Sequence, residues 1–90
     1  MPRSIELTSR SLGEMCLHHL AENPAQLAEF MTMTGYSPDA LRRSVGGDAL
    51  DRGLIDYFAT NEALLLALAA NNGFGPDDFM HVWARLNPSG

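Results

Sequence analysis

Lysine is missing from this 90-residue sequence and cysteine nearly so: all six basic residues are arginine, and Cys16 stands alone. A single cysteine excludes an internal disulfide, so the fold has to rest on packing without cross-links. Positive charge is scarce as well. Eleven acidic residues against six basic ones leave a net charge of −5, a field that repels a phosphate backbone unless a local basic patch overcomes it. Long apolar runs are also lacking. The most apolar stretch, Ala63 to Ala70, is eight residues long, against roughly 20 for a bilayer span. Met1 to Leu12 holds no run able to act as a signal peptide. No membrane association and a cytoplasmic location are therefore expected.

What is present is a folded domain's share of apolar residues, 46%, and a helical rhythm. Leu12, Met15, Cys16, His19 and Leu20 recur at three- and four-residue spacing, so a first helix is expected from Leu12, with residues 1–11 a partly disordered tail. Asn23-Pro24 ends it and starts a second helix, with Asn23 as cap, Gln26 completing a capping box and Pro24 at the first helical position. That helix runs to about Thr34 and stops at Gly35. Ser37-Pro38-Asp39 restarts a short third helix, which ends near Gly46-Gly47. Asp48 is the expected cap of a fourth, with Leu50, Leu54, Ile55 and Phe58 inward and Asp51, Arg52 and Asp56 facing water. The fifth, about Glu62 to Asn71, is apolar nearly all round and reads as the central helix. Pro76-Asp77-Asp78 opens a sixth carrying Phe79, Val82, Trp83 and Leu86, and Asn87-Pro88 closes it. The expected fold is all-α: a compact bundle of about six short helices in a single domain over residues 12–90.

The turn from Gly35 to Leu41 reappears 38 positions later, from Gly73 to Phe79. The same offset pairs Leu12 with Leu50, Cys16 with Leu54, Leu20 with Phe58, Asn23 with Asn61, Leu27 with Leu65 and Phe30 with Leu68. Two pseudo-symmetric three-helix units, about 12–45 and 50–83, are therefore expected to share one core. Gly35 and Gly73 should hold equivalent positive-φ positions, Gly73 being the more sensitive because its turn joins the most buried helix to the one bearing Trp83.

Leu20-Ala21-Glu22-Asn23-Pro24, with Leu27, Phe30 and the run from Thr34-Gly35-Tyr36 to Arg42, resembles one half of a small alphaproteobacterial family, domain of unknown function 3572. Asp56-Tyr57-Phe58, the run Asn61 to Ala67, Gly73-Phe74 and Pro76 resemble its other half. The likeness covers most of the chain from about Met15. It implies a small helical bacterial protein and brings no activity, cofactor or catalytic residue with it.

Cys16, His18 and His19 are the one cluster with metal or nucleophile chemistry, and His81 is the remaining histidine. A structural zinc site needs four such ligands. The offset pairs Cys16 with the core position Leu54 and His18 with Asp56, so Cys16 reads as a small core hydrophobe. Gly46-Gly47 lacks the lysine and preceding strand of a phosphate loop. Asp77-Asp78 suits a helix's first turn for dipole reasons alone. No catalytic, cofactor or metal residues are assigned, and no enzyme is expected.

Ala28 to Arg43 has helix-turn-helix spacing, with Arg42 and Arg43 on the second helix. Against DNA reading stand Met31, where a small residue is wanted, and Asp39, within pairing reach of both arginines. Nucleic acid is the alternative partner. The leading expectation is a non-catalytic protein-protein interaction module that binds another protein or itself, with Met33, Arg42, Arg43 and Trp83 as candidate partner-binding residues.

Overall fold

In the computed structural model, residues 7–88 are described, and they form six helices with no strand among them. These are α1 (Ser9–Ala21), α2 (Pro24–Thr34), α3 (Pro38–Ser44), α4 (Asp48–Ala59), α5 (Glu62–Asn72) and α6 (Pro76–Leu86). The all-α expectation holds. Residues 1–6 of the expected tail lie outside the described residues.

α1 opens three residues earlier than the apolar rhythm indicates. The Ser11 N–H donates to Thr8 Oγ1 at 3.0 Å, and the Thr8 N–H donates to Ser11 Oγ at 3.0 Å. This reciprocal cap is worth about 1 kcal/mol. Serine, standing where a capping box usually has Glu or Gln, hid it from the pattern. Leu7 just before the cap is buried, and Arg85 of α6 donates to its carbonyl at 3.0 Å. Residues 7–11 thus belong to the folded domain.

The asparagines at the next two junctions work backwards. Asn23 makes no side-chain cap for α2; its amide donates to the His19 carbonyl at 2.7 Å, and Asn61 does the same to Tyr57 at 2.7 Å. Each satisfies a carbonyl in the last turn of the preceding helix, where no further turn supplies a donor. Gln26 completes no box, and its Oε1 is buried without a partner. Pro24, Pro38 and Pro76 do occupy first helical positions. Gly47, not Asp48, caps α4. Asp48 is the first helical residue, where its charge still favours the positive helix end.

The 38-residue offset carries both ends of α2 onto those of α5, and the start of α3 onto the start of α6. Gly35 and Gly73 are both left-handed, at φ 83° and 73°, with their N–H groups on Met31 and Ala69. These paired ends have the same local shape.

The centre of the core belongs to α4 and not to α5. α4 packs most extensively along α1 and also meets α3, α5 and α6. Leu50, Leu54, Ile55 and Phe58 meet Leu12, Cys16 and Leu20 there, and Phe30, Leu65, Leu68, Phe79 and Val82 close the core. α5 buries Leu64, Leu65, Leu68 and Ala69 but exposes Ala63, Leu66, Ala67 and Ala70. Much of its apolar surplus is alanine, which leaves little surface to bury and so does not force a central position. Among the described residues no single helix is long and apolar enough to cross a membrane.

Candidate functional site

The cysteine–histidine cluster separates on folding. Cys16 is fully buried. Burial pushes its thiol pKa up, and the nearby Asp51 carboxylate adds to that, so the thiolate needed for attack or metal ligation is disfavoured. His18 is exposed beside Glu22, 3.9 Å away. His19 meets the Phe58 ring edge-on, at 5.7 Å between centroids. His81 is exposed on α6. Among the described residues no group of three or more His, Cys, Asp or Glu side chains is placed to hold a metal ion. His18, His19 and Glu22 do line a cleft of about 200 Å³ with Met15, Asn71 and Asn72, where the ends of α1 and α5 approach.

Asp51 corrects the sequence reading most sharply. Expected to face water, it is 4% exposed at the crossing of α1 and α4. The cause lies across the interface. Gly13 of α1 has no side chain, and a Cβ built there would stand 2.2 Å from Asp51 Oδ1. Glycine opens the hole and the carboxylate fills it. Arg10 Nη2 lies 3.5 Å from Oδ1, and the same guanidinium reaches Glu14 at 3.6 Å. Burial raises the Asp51 pKa and Arg10 opposes that rise. One signal for this contact existed in the sequence: Gly13 and Asp51 are 38 positions apart, so the offset pairs them with each other.

The candidate partner-binding residues divide. Met33 at the end of α2 is 71% exposed, and Val45 (51%) and Leu66 (47%), which the sequence did not single out, are the other large exposed apolar residues among the described residues. Arg42 pairs with Asp39 on its own helix, as local spacing indicated, and Arg43 is exposed. Trp83 is committed internally. It is half-buried, and its indole N–H donates to Asp56 of α4 at 2.9 Å.

The match to known sequences begins at the Thr8 cap. The family described as "Protein of unknown function (DUF3572)" matches residues 8–89. The chain belongs to the DUF3572 family. The resemblance, legible in the sequence from about Met15 onward, therefore extends through the whole of α1. No curated protein and no solved structure matches the chain. The DUF3572 family carries no assigned activity.

Proposed function

We propose that this DUF3572 chain is a non-catalytic bacterial interaction module that binds another protein, or a second copy of itself, through the half containing α2 and α3. The supporting observation is the poor cover on α2. Of its eleven residues only Phe30 is buried; Leu27 and Met31 are half-buried and Met33 is 71% exposed. An amphipathic helix is stabilised by covering its apolar side, and flexible methionine adapts to a partner's shape. Met33 and Val45 join Arg42 and Arg43 as the contact residues; Trp83 is replaced by them, because its polar end is already satisfied.

A photo-crosslinker at Met33 tests this in native extract, with one at the exposed Asp77 of α6 as reference. A discrete adduct from the Met33 position alone is expected. Equal diffuse labelling from both positions removes the proposal.

The same reading treats the halves as copies of one ancestral three-helix unit, residues about 12–45 and 50–83, supported by matched helix ends and by equivalent asparagine and glycine junctions. Nucleic-acid binding by Arg42 and Arg43 is the weaker reading, since Asp39 neutralises Arg42. Affinity at physiological salt is expected to be no tighter than the roughly 10⁻⁴–10⁻⁶ M of non-specific contacts. Submicromolar, salt-sensitive binding lost in R42A/R43A would reverse that order.

A further inference from the structure

The α1–α4 crossing carries an ionisable group in a place where the core would otherwise be apolar. The Asp51 side chain is 5% exposed, and Arg10 approaches it at 3.5 Å. That separation is a charge contact, longer than a strong N–H···O bond of about 2.7–3.2 Å. Arg10 is itself divided between Asp51 and Glu14, and its Nε is buried without a hydrogen-bond partner. The ionised Asp51 carboxylate has therefore given up water for a single imperfect contact with an arginine that stays partly solvated, an arrangement in which desolvation can exceed attraction.

We propose that Arg10 and Asp51 form a pH-sensitive joint between α1 and α4, loosened while the buried carboxylate is ionised and tightened when that carboxylate takes up a proton. The groups around it set the direction. From α1 come Arg10, Glu14 and the neutral thiol of Cys16; α4 itself contributes Asp48, whose partner at 3.5 Å is Arg52. The loop Val45-Gly46-Gly47, whose Gly46 lies beside the Arg10 guanidinium, brings no titratable side chain. Glu14 and Asp48 both oppose ionisation of Asp51, and Arg10 alone favours it.

The sign follows from linkage. With its folded pKa raised, Asp51 holds a proton in the native state at pH values where the unfolded chain has lost it. The stability it contributes is complete below the ordinary aspartate range and is lost as pH rises through the raised value. Within that window the folded-to-unfolded ratio changes by up to about tenfold per pH unit from this one group.

Urea denaturation of the whole chain from about pH 3.5 to 8, a range that begins at the ordinary aspartate value, tests the joint, comparing wild type with D51N, whose side chain mimics the neutral form. Subtracting the two curves cancels the histidines and the other carboxylates. Wild type is expected to lose stability relative to D51N as pH rises, leaving D51N the more stable at pH 7.5. In R10Q, which removes the one group favouring ionisation, the loss should extend to higher pH, and R10Q/D51N should show none of it. Should D51N fail to fold, the side-chain carboxyl ¹³C shift of Asp51 in the wild type still decides. A midpoint above the ordinary aspartate value supports the joint. A midpoint at or below it, or parallel wild-type and D51N curves, overturns it.

Discussion

The first three helices and the last three share junctions but not cover. Asn23 and Asn61 bond back to equivalent carbonyls at the same 2.7 Å distance, and Gly35 and Gly73 turn the chain with the same left-handed backbone. Yet α2 buries one residue where α5 buries four. The difference traces to the third helix of each half. α3 has seven residues and α6 has eleven, and α6 packs on both α4 and α5, whereas α3 packs chiefly on α4. Junction chemistry is decided within a few residues of chain. Cover depends on what arrives from elsewhere, and a helix four residues shorter brings less of it.

The largest effect expected is at Gly13. G13A would drive a methyl group into Asp51, 2.2 Å from Oδ1, and should cost about 3 kcal/mol, toward the upper end for an overpacked core. Adding D51G should recover part of that loss, because the obstacle is the opposite side chain. If thermal or urea denaturation finds G13A harmless, α1 and α4 do not cross where described.

Leucine truncation probes the cover itself. L65A, at a position 7% exposed, should destabilise by about 2 kcal/mol, the low end for a buried leucine, whereas L27A in half-buried α2 should cost only about 1 kcal/mol. Equal losses in urea denaturation would mean that α2 is as well packed as α5, and the proposed docking half would lose its support.

Smaller again is the pair G35A and G73A. A Cβ at either position meets nothing within 4 Å, so the cost is the left-handed backbone alone, about 1 kcal/mol each. The sequence suggested a worse effect at Gly73, but with open space at both turns the melting temperatures should fall equally. A marked inequality would show that the two junctions are not equivalent.

The smallest change is a gain. Gly53 lies inside α4, where an added Cβ also meets nothing within 4 Å. G53A should raise stability by about 0.5–1 kcal/mol through helix propensity. Set beside G13A, it separates a glycine required for close approach from one that merely sits in a helix.

By itself the sequence determined the all-α fold, the number of helices and most of their ends, because proline, glycine and apolar spacing act through neighbours a few residues away. It also determined that Cys16 is core, since the apolar rhythm and the offset agree there. Beyond the caps at Asn23 and Asp48, it misplaced three things for reasons that lie across space. The start of α1 depends on a serine box and on Arg85 holding Leu7 from the far end of the chain. The central helix is α4, because burial follows what packs on a helix and not how apolar its sequence reads. The candidate site at Asp51 was assigned to water because aspartate is ordinarily solvated. Only the tertiary crossing, with a glycine 38 residues away opposite it, decided that this carboxylate is buried, since the room for it was made by a side chain that is absent from another helix.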